Sequence, residues 1–394
     1  MAIAITGPLV LTSPAHQSAI MGRGEKGPRR TLTLPIFEKA SQGMRTVPYI
    51  TANSVRGRLR RLAAERVFKA FEARGERISR DAFLVLSRGS VGRADIRIHS
   101  NANAIVEGAK HVFAGLFGGG PAMLHSRYAV APLLPLIEWT VDLLPPRLQG
   151  LVLPESTYVQ QRTQPDGTHK QVVNLTTVMM WTARDPLLDG QGAGVVEDYA
   201  GTLSDWLAAM ESESAAHKAA SVQKKEPKKA ALEDEDGEPA AVPEELGAKS
   251  SLQNFGEIRV LPPGLPLQWN VTTKASASLA QEGLILLAVA DFIALNSVGG
   301  GAARGMGRFN ASELAVVIEG DTAVPLLDKT TGTLNLAEPE IRIRVEAAEA
   351  ALNAITAASI EAAFGLESEQ NPKKKGPKGK DAAKTADTGA EADK

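Results

Sequence analysis

The stretch that most restricts what this chain can fold into is the junction between GLILLAVADFIAL, residues 283–295, and NSVGGGAARGMGRF, residues 296–309. Thirteen mostly apolar residues at helical length run straight into five glycines and two arginines, and the chain then leaves through Phe309 toward VVIE at 316–319. That order reads as helix, glycine loop, strand. Gly299, Gly300, Gly301, Gly305 and Gly307 permit positive φ and leave main-chain N–H groups uncovered, while Arg304 and Arg308 add fixed positive charge with fork geometry. The combination suits a run of phosphates. It is not a Walker loop, because Met306 and Gly307 follow Gly305 where Lys and Ser or Thr are required. Nor is it a dinucleotide fingerprint, since the third glycine position holds Arg304 and the loop follows a helix. A flexible glycine-rich connector is the alternative.

Charge is divided unequally along the chain. Residues 1–130 carry 20 Lys and Arg against 8 Asp and Glu, a local net of +12, so the remainder carries −13 within a total of −1. A basic, Arg-rich half points to a polyanionic partner. The 394 residues include no cysteine, which excludes disulfides, thiolate metal sites and cysteine nucleophiles and favours an intracellular, cytoplasmic setting. Residues 283–295 are too short for a membrane span and contain Asp291, and the opening MAIAITGPLVLTSP lacks the basic region of a signal peptide. No membrane partner is expected. Residues 2–11 read instead as a first, buried strand.

Two basic segments follow that strand. SAIMGRGEKGPRR, residues 18–30, has the composition of a loop that orders on a phosphate backbone, with Arg23, Lys26 and Arg29 as contacts; a solvated basic loop is the alternative. VPYITANSVRGRLRRLAAERVFKAFE, residues 47–72, reads as an extended entry at Pro48–Ile50, a cap at Asn53 or Ser54, and a helix burying Val55, Leu59, Leu62, Ala63 and Ala70. Arg56 and Arg60 flank that face, and Arg58 and Arg61 fall on the other side. The helix N-terminus, its cap and Arg56 converge where an anion would sit. Gly57 in the first turn costs ~1 kcal/mol against alanine, which makes sense if something approaches the backbone there. A surface helix with solvated arginines is the bland reading.

Asn53, Ser54, Arg56 and Gly57, taken with Gly299, Gly300, Gly301, Arg304, Gly305, Gly307 and Arg308, resemble the paired signatures of the RAMP superfamily (repeat-associated mysterious proteins). Within it the chain is most similar to the crRNA-binding backbone subunit of CRISPR effector complexes, and in particular to the type IV backbone subunit. The resemblance implies an α+β fold: an RRM-like (ferredoxin-like) core of antiparallel sheet with helices, a helical finger-like insertion and a β-hairpin thumb. It covers residues 1–75 and 255–320, the discontinuous core. It implies as partners crRNA, further copies of the chain in a helical filament, other effector subunits and target nucleic acid paired to the guide, in antiviral or anti-plasmid defence.

On that frame residues 76–150 are the finger-like insertion, with helical character at 81–86 and 104–117 and a break at Gly118–Gly120. His99, His111 and His125 within it match no metal-ligand spacing, and structural or RNA-contacting roles are favoured. Residues 151–205 hold the thumb candidate, a hairpin over 155–181 turning at Pro165, Asp166 and Gly167, with Arg162, His169 and Lys170 near its tip; an ordinary surface hairpin is the alternative. Residues 211–249, rich in Ala, Glu, Lys, Pro and Ser, bury too little apolar area to order and form an insertion. GEIRVLPPGLPLQWNVTT then gives strand, turn and strand. Residues 321–366 supply a C-terminal strand and an Ala-rich helix, and 367–394 a disordered tail.

Chemistry is not expected. A metal-independent ribonuclease needs a general base beside a 2′-hydroxyl; His16 and Asp95 are conceivable, but neither has a visible partner set. No catalytic residue, metal or cofactor is assigned. The favoured function is a non-catalytic crRNA-binding backbone subunit, the alternatives being a RAMP-type endoribonuclease that processes crRNA precursor and an RRM-like RNA-binding module outside CRISPR systems. The assigned RNA contacts are Arg23, Lys26, Arg29, Asn53, Ser54, Arg56, Gly57, Arg60, Arg162, Lys170, Gly300, Gly301, Arg304, Gly305, Gly307 and Arg308.

Overall fold

A computed structural model describes residues 2–19, 30–91, 102–121, 123–164, 168–184, 253–318 and 322–366, together with a few isolated positions between 198 and 208. The insertion over 211–249, the tail, Arg23, Lys26, Arg29, Asp95, His99 and the hairpin turn at 165–167 lie outside the described residues.

The first strand, β1 (Ile3–Leu11), is buried along almost its whole length. It sits inside a sheet built from β4 (Tyr128–Val130), β9 (Pro266–Thr273), β10 (Phe309–Asn310), β11 (Ala315–Ile318) and β12 (Thr322–Pro325), in the order β12-β11-β1-β9-β4 with β10 also on β1. Every pairing is antiparallel. Two helices alternate with these strands along the chain: α1 (Ala52–Arg74) between β1 and β4, and α6 (Leu279–Leu295) between β9 and β11. Strand, helix, two strands, helix, strand, with the fourth strand beside the first, is the RRM-like arrangement. The expected α+β fold is therefore present, although its second and third strands are separated by some 130 residues that contain the hairpins described below.

The core lies between this sheet and the helices. Ile3, Ile5, Leu9, Leu267, Trp269 and Val271 from the strands meet Leu59, Ala63 and Val67 of α1 and Leu284, Leu287 and Phe292 of α6. Helix α6 is apolar nearly all round because α7 (Pro339–Ala354) covers its outer side. The α6–α7 crossing explains Gly283: a Cβ there would stand 1.8 Å from the carbonyl oxygen of Arg344. Close by, Arg344 and Glu282, each 1% exposed at the side chain, form an ion pair at 2.8 Å. Helices α1 and α6 are joined at their surface by Arg66, which donates to both carboxylate oxygens of Asp291 at 2.6 and 2.8 Å.

Several local expectations need correction. The cap of α1 is Thr51, whose side chain accepts from the Ser54 N–H, not Asn53 or Ser54. Thr51 wins because Gln17 grips it twice at 2.8 Å, side chain to side chain and side chain to backbone. Of the expected buried set on α1, Leu62 and Ala70 are only half-buried, and Ala64, Val67 and Phe71 bury instead. The insertion has α2 (Arg80–Arg88) as expected, but its next helix is two, α3 (Ala102–Lys110) and α4 (Val112–Phe117), divided where His111 caps α4. After α5 (Pro146–Gln149) the hairpin is shorter than read: β5 (Val159–Thr163) pairs with β6 (His169–Val173). The following β7 (Thr177–Arg184) pairs instead with β8 (Gln253–Val260), so the two form the ladder from which the undescribed insertion departs. The Ala-rich helix is likewise α7 and α8 (Ala357–Phe364), with Thr356 capping the second. A further hairpin is formed by β2 (Thr33–Glu38) and β3 (Gly43–Pro48).

Candidate nucleic-acid interface

The residues just after β1 bring both sequence signatures together. Gln17 holds the start of α1 through Thr51. Its neighbour His16 holds the glycine loop, because the Gly300 N–H donates to the His16 carbonyl at 2.7 Å. The loop closes on itself where Asn296, in the left-handed conformation at the end of α6, accepts the Phe309 N–H on its side-chain oxygen at 2.8 Å. Gly307 is required by geometry: its φ is +75° and a Cβ would lie 1.9 Å from the Val298 carbonyl oxygen. Gly300 is not in the left-handed region and would place a Cβ no nearer than 3.6 Å to another atom outside its chain neighbours.

Many of the loop's N–H groups are paired within the protein, which narrows the expected main-chain cradle to the stretch around Gly299 and Gly301–Ala303. Those of Val298, Gly300, Arg304, Gly305, Met306 and Gly307 all donate to carbonyls of the protein. Those of Arg308 and Phe309 donate to the side chains of Ser13 and Asn296. The loop also offers charge from side chains, and both Arg304 and Arg308 are exposed.

An open groove of about 710 Å³ lies between this loop and α1. Arg58, Arg61 and Glu65 line it from the helix, and Ser297, Met306 and Arg308 from the loop. The guanidinium of Arg58 donates to the Ser297 carbonyl at 2.5 Å. Burial, and secondarily the charge of Arg61 beside it, push the Arg58 pKa down. Three guanidinium groups against one carboxylate give a positive groove, and like charges held this close are relieved by an anion between them. The sequence pattern places Arg58 and Arg61 on the side away from the helix N-terminal site. They face the groove, since the helix presents its 56/60 edge to the insertion and its 58/61/65 edge to the glycine loop. The i, i+3, i+7 spacing of Arg58, Arg61 and Glu65 was the available signal.

Arg60 is corrected from an RNA contact to a structural residue. It is 8% exposed and donates to the carbonyls of Val85, Leu86, Phe117 and Gly118, at the C-terminal ends of α2 and α4. Its cation complements the negative ends of those two helix dipoles, and burial lowers its pKa to about 10. Arg56 remains at the surface of that edge, donating to the Ser126 hydroxyl at 3.3 Å and lying over the Tyr128 ring. Gly57 has no packing reason within the protein: the nearest atom to a Cβ there would be the Arg61 guanidinium at 3.4 Å. Asn53 is exposed and Ser54 half-buried beside it.

On the short hairpin, Arg162 and Lys170 are directly opposite each other and exposed. Like charges in facing positions destabilise a hairpin unless an anion bridges them. Ser18 and Thr31 pair beside His16 and Gln17. Both ring nitrogens of His16 are engaged, Nδ1 with the Arg259 carbonyl at 2.7 Å and Nε2 with the Ser18 hydroxyl at 2.8 Å. His111 accepts from the N–H groups of Phe113 and Ala114 through Nδ1, and burial pushes its pKa down to about 4.

Among the described residues, the sheet face turned away from the helices carries none of the aromatic residues on which RRM-type domains stack bases. Register places Ala129, Thr272, Ala4, Val317 and Ala323 in one row across it, with Asn270, Thr6 and Ala315 in the next. Among the described residues no helix is long and apolar enough to cross a membrane, and no three His, Asp or Glu side chains cluster as a metal site.

Fold and site together define an RRM-like α+β protein with an arginine-lined groove between its first helix and its glycine loop. No protein-family model matches the sequence, and no curated protein does. Among solved structures, a chain described as a type IV-B CRISPR complex aligns over 86% of this chain and 99% of its own length, at 15% identity and a TM-score of 0.42.

Proposed function

We propose that this chain is a non-catalytic guide-RNA-binding backbone subunit of a CRISPR effector ribonucleoprotein, oligomerising along crRNA beside other effector subunits and carrying target nucleic acid paired to the guide. The observation that carries the proposal is the groove in which Arg58 and Arg61 of the first helix meet Arg308 of the glycine loop. It joins the two segments whose resemblance to the RAMP backbone family was set out above. Guanidinium groups along an open groove contact phosphates whatever the sequence, and the sheet lacks an aromatic platform for reading bases. A scaffold that must accept any guide needs that combination. The engagement of both His16 nitrogens, which leaves the ring no lone pair directed at a substrate, supports binding without cleavage.

Purification with co-expressed guide RNA, followed by electron microscopy, tests the reading: a regular multi-subunit array on RNA is the expected result, and a monomer free of RNA would overturn it. Incubation with a guide precursor separates the scaffold from a processing ribonuclease, since the scaffold leaves the precursor intact.

A further inference from the structure

A second pocket, of about 350 Å³, lies between α3, the 123–127 segment and the 274–276 segment that follows β9. Its cations are Arg127 and Lys274, with His125 beside them, and none of the described residues lining it is a carboxylate. Arg127 is fixed in place: its guanidinium donates to the Ser276 carbonyl at 2.8 Å and to the side-chain oxygen of Gln281 at 3.1 Å. Gln281 is fully buried and is itself anchored on the carbonyls of Ala109 and His111. Ile105, Met123 and Leu124 add apolar surface to the same lining.

Met123 is the unusual member. Its φ is +49°, in the left-handed region, and its side chain is 66% exposed. A non-glycine residue there costs on the order of 1 kcal/mol, and an exposed thioether recovers little of that by burial. The strained backbone holds an exposed, polarisable thioether in the lining of a cationic pocket. Arg56 reaches Ser126 in the pocket lining, so the basic surface of α1 continues into it.

We propose that this pocket receives a single unpaired nucleotide of bound RNA, its base against Met123 and Ile105 and its phosphate between Arg127 and Lys274. Apolar surface and phosphate-binding cations in one lining suit a nucleotide better than an acidic peptide, which would leave the apolar surface uncovered. The volume admits one nucleotide and no duplex. This inference rests on the RNA-binding reading above and adds to it a site distinct from the Arg58–Arg308 groove.

The test uses the full chain with a single-stranded RNA bearing 4-thiouridine at each position in turn, irradiated and mapped by mass spectrometry. The expected result is an adduct in the peptide containing Met123–Arg127. In the Met123→Gly, Lys274→Ala double variant that adduct should fall about fivefold or more while crosslinks near α1 and residues 296–309 persist, as the loss of one contacted base among several predicts. Met123→Gly relieves the strained φ, so misfolding does not cloud the outcome. RNA bound and crosslinked elsewhere, with no adduct at 123–127 or one insensitive to the double variant, overturns the pocket alone. RNA that is not bound at all overturns the RNA-binding reading and the pocket with it.

Discussion

Arg58 donates to the carbonyl of Ser297 across 2.5 Å and so ties the first helix to the base of the glycine loop. The contact places Arg61 and Arg308 in the same groove. Arg61→Ala and Arg308→Ala should each weaken binding of unrelated single-stranded RNAs to a similar extent and reduce the slope of log K against log salt by ~0.7, one phosphate's share. Fluorescence anisotropy at several salt concentrations measures this. A slope that does not move in either variant would remove the groove from the RNA path. Arg58→Ala should do more, since it also frees the loop from the helix.

Arg60 makes the contrasting case. Its four carbonyl partners sit at the ends of two helices of the insertion, and the side chain is almost wholly buried. Arg60→Ala should cost about 3 kcal/mol of unfolding free energy, from unsatisfied carbonyls and lost packing. Urea denaturation gives the figure. In whatever fraction stays folded, the salt slope of RNA binding should equal that of the unaltered protein, whereas a shallower slope would restore Arg60 to the interface.

His111 gives the fold a pH dependence. Its folded pKa, about 4, lies below the ordinary 6.5 because burial disfavours the imidazolium. The unfolded chain therefore binds more protons between those values. The stabilisation is fully present above pH ~6.5, and it is lost as pH falls toward ~4, by up to ~3 kcal/mol. His111→Asn keeps an acceptor for the α4 cap and removes the titration. Unfolding measured from pH 7 to 4.5 should then show a flatter profile in the variant than in the unaltered protein, and identical profiles would refute the assignment.

The sequence carried the core because its pattern is local. Residues 3–11 run apolar apart from Thr6 and Gly7, 283–295 have helical length, and Asn296 in the left-handed conformation ends the helix just before the glycines. The two signatures could be found for the same reason. What could not be read was which edge of α1 meets which neighbour, since this depends on Gln17 and His16, which contact residues 34 and 284 positions away. Four arginines within six residues look equivalent until tertiary contacts separate the buried Arg60 from Arg58 and Arg61. The boundary of the short hairpin was missed for a related reason: residues 177–184 have strand character in any reading, and only their pairing with 253–260 detaches them from β5 and β6.

The glycine loop allows a sharp comparison between two of its own residues. Gly307 combines φ +75° with a Val298 carbonyl 1.9 Å from where a Cβ would stand, and its N–H donates to the Pro14 carbonyl at 2.8 Å. Gly307→Ala must break the Val298–Gly307 register, leave the left-handed region, or both, and should cost at least ~2 kcal/mol. Gly300 has neither constraint, the nearest atom to its Cβ position being the His16 carbonyl oxygen at 3.6 Å. Gly300→Ala should change stability by no more than ~0.5 kcal/mol, the range of an unconstrained surface position. Urea unfolding of the two variants tests the fold, and RNA anisotropy on the Gly300 variant tests the surface. If Gly300→Ala leaves stability intact but lowers RNA affinity several-fold, the RNA backbone passes directly over Gly300; if affinity also stays unchanged, the loop acts only through Arg304 and Arg308.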